Sequence, residues 1–215
     1  MIEKVAAFVL RPSRQGVEIL TLEHPRGGLQ VPGGTVNAGE APETAVLREL
    51  HEETGLTEVR IIRKLGEERV DLPAGRGVLL QKGCLHVSPS ESAPLVDHDP
   101  APNRGFGVEI LDRQGDWLYV QYREVDHCVQ PPQLVWEVQG WIHSNHVDTA
   151  MRQEFYWLQT RSSTPDSWDW QTLDDLGYTF HLRWQPIQPL PNFIPTIMGW
   201  MKWLEGITLM DLFET

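Results

Sequence analysis

Glu49, Glu52 and Glu53 stand at i, i+3 and i+4 in the run Arg48-Glu49-Leu50-His51-Glu52-Glu53. On a helix those positions share one face, so three carboxylates converge. Like charges at that spacing cost an isolated helix about 0.2–0.5 kcal/mol per pair. The last turns of a helix add a second penalty, because the negative end of its dipole lies there. A solvated acidic face ordinarily alternates with lysines, yet none lies between Lys4 and Lys64. A hard divalent cation, Mg²⁺ or Mn²⁺, is the partner such oxygens favour. Arg48 supplies part of the counter-charge and holds glutamates in place. An ion and carboxylates at one point are equipped to activate a water and to neutralise phosphate charge.

The flanking sequence contains the elements needed to position this cluster. Pro42 suits a first helical turn, and Ala45, Val46, Leu47 and Leu50 give the helix an apolar side. Gly55 is placed to end it in a left-handed conformation. Gly33 and Gly34 precede the helix, and without side chains their backbone can approach an ion or phosphate closely. Residues 4–10 and 17–22 read as strands, with a short extended piece at 29–31 before Pro32. Further strands are expected at 59–65, 77–87, 107–111, 117–123, 134–142, 154–159 and 178–184. Residues 88–103 and 162–175 read as loops. Phe193, Ile197, Trp200, Met201 and Leu204 recur at helical spacing and define a terminal amphipathic helix.

Composition narrows the function classes. The chain has 215 residues, 40% hydrophobic and 22% charged, enough for one substantial core or one core with an insert. Its net charge of -12 argues against a nucleic-acid surface, which would be basic. A small phosphorylated substrate fits, since a bound cation supplies local positive charge. No apolar run reaches the roughly 18 residues of a membrane helix, and Met1-Ile2-Glu3-Lys4 lacks a signal-peptide core. Cys84 and Cys128 form neither a disulfide framework nor a C-x-x-C site, so reduced thiols and a cytoplasmic location are expected. All nine tryptophans lie from Trp117 onward, so the two halves of the chain differ in character.

The segment from Gly34 to Leu56, GTVNAGEAPETAVLRELHEETGL, resembles the Nudix box, G-x5-E-x7-R-E-U-x-E-E-x-G-U with U a bulky aliphatic residue. Every specified position is matched: Gly34, Glu40, Arg48, Glu49, Leu50, Glu52, Glu53, Gly55 and Leu56. Nine fixed positions make this far more specific than a lone glycine motif. The resemblance implies an α+β fold, a Nudix-type α/β/α sandwich with a mixed sheet, and a Mg²⁺-dependent enzyme (Mn²⁺ also suits) that splits a diphosphate linkage. It implies Glu49, Glu52 and Glu53 as metal ligands with the Gly33 carbonyl. It makes Glu49 and Glu52 candidates for activating water, Arg48 a catalytic residue that orients the glutamates, and Glu40 a brace for the loop. Relatives often add an acidic residue from outside the box, for which Glu154, Asp166 and Asp169 are the candidates here.

On the same resemblance, residues 1–85 and 151–206 form a discontinuous hydrolase domain and 207–215 a tail. Residues 86–150 are a β-rich insertion whose Gly-Asp-Trp and Gly-Trp-Ile punctuation weakly resembles a bacterial SH3-like barrel. The expected partner is a small nucleotide-type substrate, with no membrane or nucleic acid, and a second copy of the chain is an open possibility. The competing class is a nucleotide-binding sensor on the same fold without turnover. That reading goes with a damaged glutamate cluster, and this cluster is intact. Trp168 and Trp170, expected in a loop, read first as packing residues, with stacking on a base as the alternative. His143 and His146 read as loop residues, because no third ligand lies near them in sequence.

Overall fold

The computed structural model describes residues 1–14, 16–98, 101–173 and 177–213. Asp99 and Pro100 of the expected 88–103 loop, Asp174 and Asp175 of the expected 162–175 loop, and the last two residues of the tail lie outside the described residues. The chain divides into two compact units, residues 4–67 with 153–215, and residues 1–3 with 68–152.

The elements follow in order: β1 (Ile2–Ser13), β2 (Gly16–His24), β3 (Gly28–Gln30), β4 (Gly33–Thr35), α1 (Pro42–Thr54), β5 (Val59–Asp71), β6 (Arg76–Leu79), β7 (Gly107–Gln114), β8 (Trp117–Asp126), β9 (Gln133–His143), β10 (Val147–Asp148), β11 (Ala150–Thr160), β12 (Ser167–Gln171), β13 (Thr179–Pro186) and α2 (Pro195–Trp200). The fold is α+β with strands predominating.

The first unit is built on an eight-stranded sheet of order β12-β13-β2-β1-β11-β5, with β3 joined to β2 and β4 to β1. Strand alternation divides β1 between two cores. Val5, Ala7 and Val9 face one way and pack with Ala45, Val46 and Leu50 of α1. Ala6, Phe8 and Leu10 face the other way and pack with Ile197, Met201 and Leu204 near the C-terminus. A helix thus covers each face of the sheet, the three-layer sandwich expected from sequence. Burying each of these aliphatic side chains contributes about 1.5–3 kcal/mol.

Helix α1 opens at Ala41 with no side-chain cap and carries Pro42 in its first turn. It closes at Gly55, whose φ of 75° lets its N–H reach the His51 carbonyl. A side chain there would also collide with the Trp170 ring, 2.6 Å from where its Cβ would stand. Two features differ from the sequence expectation near this helix. Residues 167–171 form β12, an edge strand, where a loop was expected. Trp168 and Trp170 alternate inward from it and pack against the α1 core.

The terminal helix is also shorter than its periodicity suggests. Regular α-helix runs Pro195–Trp200 and tightens into a 3₁₀ turn at Met201–Leu204. The apolar residues still face inward, and Trp203 stacks on Phe155 with 5.1 Å between ring centres. That ring lies directly on Gly66 of β5, where a Cβ would come within 2.1 Å of it.

The second unit holds a five-stranded sheet of order β10-β6-β7-β8-β9. Every pairing in it is antiparallel. Its core gathers Leu79, Leu85, Val108, Val120 and Ile142. The strand expected at 77–87 stops at Leu79, and His86 makes only isolated bridges to Leu95 and Trp141. His143 turns back on its own loop, with Nδ1 2.8 Å from the Asn145 side chain. Neither Cys84 nor Cys128 is in a disulfide, and both are exposed. Among the described residues no helix is long and apolar enough to cross a membrane.

The Gly66–Trp203 contact yields a stability prediction. Gly66→Ala forces the indole off the strand and should cost about 1–3 kcal/mol. Thermal or urea unfolding reads this directly. A variant as stable as the wild type would show that the terminal segment does not pack tightly on β5.

Candidate functional site

The site begins where β4 lies antiparallel to β1, with Lys4 opposite Thr35, Val5 opposite Gly34 and Ala6 opposite Gly33. This pairing fixes the glycine pair on the sheet, and the chain then climbs into α1. At Gly33 an added Cβ would stand 2.3 Å from the Val5 carbonyl, so only glycine fits this approach. At Gly34 the same position is filled by the Glu49 carboxylate, with Cδ at 2.2 Å. The first box glycine therefore makes the room in which a box glutamate sits.

Arg48 organises the rest. Its Nε and Nη2 donate to the two oxygens of Glu40, each at 2.9 Å, in a bidentate pair. Its Nη1 donates to Glu49 Oε1 and Glu52 Oε2, also at 2.9 Å each, and Nη2 reaches the Thr35 carbonyl at 3.0 Å. Glu40 accepts the Asn37 N–H as well, which ties the loop before α1 to the same centre. Glu53 points elsewhere and accepts the Gly33 N–H at 2.8 Å. The structure thus brings Glu49 and Glu52 together on one guanidinium nitrogen and sets Glu53 on the backbone of Gly33. Among the described residues no group of three His, Cys, Asp or Glu side chains is disposed to hold a metal ion.

The charges at this point do not balance. Glu40, Glu49 and Glu52 carry three negative charges around Arg48, and the Lys4 ammonium also acts on Glu49, so three carboxylates face two cations. Burial pushes the Glu49 carboxyl above the usual glutamate range, Arg48 partly opposes this, and the Glu52 charge adds to it. Glu40 is held below its ordinary value, chiefly by the hydrogen bond from Arg48. The Arg48 guanidinium is pushed up by that same bond. The donor set is all hard oxygen with a surplus of negative charge, which suits a divalent cation in chemistry, while Glu53 is held on the Gly33 N–H apart from Glu49 and Glu52.

The acidic residues considered outside the box are dispersed. Glu154 lies on β11, 2% exposed, accepting the Tyr156 hydroxyl at 2.6 Å and paired with Lys64. Asp166 is 91% exposed and pairs with Arg11, and Asp169 pairs with His181. Trp168 and Trp170 donate their indole N–H groups to the carbonyls of Thr54 and Glu52, both at 3.1 Å. They bind the open end of α1, where unpaired carbonyls need donors. Sequence reasoning missed this role; the period-two spacing of Ser-Trp-Asp-Trp-Gln was its only signal.

Residues 2–100 match the family model described as the NUDIX domain. That span resembles a Nudix domain, and the complete box from Gly34 to Leu56 lies inside it. No curated protein matches the sequence. A solved structure similar to it is the crystal structure of C. elegans Ap4A hydrolase, at 11% identity and a TM-score of 0.43, covering 100% of this chain and 99% of that one. All nine specified residues of the box have an assigned place: Gly34 gives space to Glu49, Arg48 gathers three glutamates including Glu40 and Glu52, Glu53 holds Gly33, Gly55 closes the helix, and Leu50 and Leu56 pack in the core beneath it.

Two outcomes follow from this geometry. Gly34→Ala places a methyl group where the Glu49 carboxylate lies, and the displaced carboxylate should lower kcat by on the order of 100-fold. Steady-state kinetics on the folded variant would show it, and unchanged kcat would mean that Glu49 need not stand there. The second outcome concerns acid stability. A glutamate whose folded value lies below its unfolded one stabilises the fold above the unfolded value and loses that contribution as pH falls. Between about pH 5 and about pH 3 the wild type should therefore lose more stability than Glu40→Gln does. Parallel denaturation curves for the two proteins would contradict the Glu40–Arg48 assignment.

Proposed function

We propose that the chain hydrolyses the diphosphate linkage of a nucleoside-diphosphate-linked substrate in the presence of Mg²⁺, with Mn²⁺ able to replace it. The carrying observation is the uncompensated charge around Arg48, where three carboxylates converge on one guanidinium beside a side-chain-free backbone at Gly33–Gly34. Glu49, Glu52 and Glu53 with the Gly33 carbonyl are the groups that would hold the ion. When bound, the ion supplies positive charge to the phosphates and to the leaving group.

The residues divide the remaining work. Glu49, the more enclosed carboxylate at 15% exposed, is fixed by Arg48 and by the space at Gly34. Glu52, at 29%, is the carboxylate open to water. A water oxygen attacks one phosphorus, its proton passes to Glu52, and the bridging P–O bond breaks with its electron pair on the departing phosphate oxygen. The products are a nucleoside monophosphate and a phosphorylated remainder. Arg48 acts by orienting Glu49 and Glu52, and Glu40 acts by fixing Arg48. The domain that does this is discontinuous, and the β-rich residues 86–150 are an insertion within it. A cytoplasmic location and a small-molecule substrate complete the reading.

A panel of NTPs, ADP-ribose, NADH, nucleotide sugars and dinucleoside polyphosphates, each with Mg²⁺ or Mn²⁺, tests the reaction by released monophosphate or phosphate. Turnover is expected on at least one, and Glu52→Gln should slow it by about 10²–10⁴-fold while leaving the fold intact. Binding without turnover across the panel would make the protein a sensor. Near-normal activity of Glu52→Gln would remove this residue from the reaction.

A further inference from the structure

On the face of the sheet opposite α1, two cavities of about 450 Å³ and 310 Å³ meet at Ile187, Gln188 and Ile207. Together they form a groove between the start of β2, the segment after β13 and residues 201–209. Val17, Ile187, Leu190, Leu204, Ile207 and Leu209 make its walls apolar. Glu205 is the one charged side chain among the described residues that line it. A phosphate calls for cations, and these walls hold none, so the groove differs in chemistry from the site at Arg48.

The surface beside the groove is apolar too. In the unit of residues 4–67 and 153–215, six large hydrophobic side chains are exposed among the described residues. Four of them, Leu190, Met198, Met210 and Phe213, fall within residues 190–213. Leu190 lines the groove, and Met210 follows Leu209, which also lines it. The Phe213 N–H donates to the Met210 carbonyl and closes one 3₁₀ turn. Side chains three apart in such a turn eclipse, so Met210 and Phe213 project together, 66% and 68% exposed. Leu212 between them turns into the core, and its carbonyl accepts the Gln159 side-chain N–H at 3.1 Å. The turn is thereby anchored while its two outward residues face solvent.

An apolar hole and two apolar knobs thus adjoin on the same unit. At two-thirds exposed, the knobs do not occupy the groove of their own chain. A two-fold axis supplies the match, because each copy then offers its knobs to the groove of the other and every contact is made twice. Charge agrees with this arrangement. Glu205 lines the groove, and its N–H donates to the carbonyl of Lys202, one turn earlier. Both side chains are exposed and of opposite sign, so a two-fold brings unlike charges together.

We infer that this face joins two copies of the chain, with Met210 and Phe213 of each seated in the groove of the other and Lys202 facing Glu205 across the axis. Contiguous exposed apolar patches of this kind mark interaction sites. The pairing is independent of the hydrolase reading, since Arg48 and its glutamates belong to the α1 side of the sheet.

Sedimentation equilibrium of the full chain is the test. A dimer is expected at about 50 µM protein. Met210→Ser combined with Phe213→Ser should weaken association about tenfold or more, as loss of central apolar anchors does. Both residues are exposed, so the double variant should match the wild type in circular dichroism and melting. Lys202→Glu and Glu205→Lys should each weaken the dimer, and the two together should restore it. A wild type that stays monomeric at that concentration, or a dimer untouched by loss of Met210 and Phe213, would overturn the inference. Single charge variants that weaken the dimer without recovery in the double exchange would overturn the two-fold arrangement. A monomer that takes up a long-chain alcohol in the groove would also overturn it and assign the groove to a small apolar ligand.

Discussion

One guanidinium sets the geometry of the site. Arg48 bonds Glu40 through both oxygens, shares Nη1 between Glu49 and Glu52, and reaches the Thr35 carbonyl. Bidentate arginine–carboxylate bonds are directional as well as strong, which a lysine cannot reproduce. The loop before α1, the helix and the end of β4 are thereby held to one atom group. Three carboxylates placed so close would otherwise drive one another apart. Arg48 tolerates their proximity without neutralising all of their charge.

The sheet provides what Arg48 cannot. Because β1 alternates between two cores, the pairing of Val5 with Gly34 is locked by burial on both faces. A slip of one residue would exchange the two apolar sets and is strongly disfavoured. The space at Gly34 therefore falls where Glu49 can enter it. Packing, backbone pairing and side-chain charge agree at one point, which is how a rigid site is obtained from flexible glutamates.

Much of this could be read from the residues. The strands carrying Val5–Leu10 and Leu20–Leu22, the helix from Pro42, the glycine that ends it, and the pairing of an arginine with glutamates all follow from periodicity, caps and charge. Other features were hidden for physical reasons. Strand β12 has only five residues and lies among polar ones, so its alternation was too short to stand out from a loop. Strand β5, beside β11 in the sheet, extends to Asp71 through charged residues that offer no apolar run. The i, i+3, i+4 rule places Glu49, Glu52 and Glu53 on one face but does not say where their ends point, and Glu53 turns to the Gly33 N–H. The groove of Val17, Ile187 and Ile207 joins stretches of chain that are far apart in sequence, and no local pattern announces it.

The two indoles at the end of α1 imply something about boundaries. Trp168 and Trp170 occupy the carbonyls of Thr54 and Glu52, the latter a residue of the box itself. They come from a strand more than a hundred residues downstream. A fragment that stopped near residue 100 would contain every letter of the motif, yet its acidic helix would end in bare carbonyls over an open core. The motif is contiguous in the chain, but the machine it belongs to is not. Its smallest working piece is defined by what closes that helix, and not by where the signature ends.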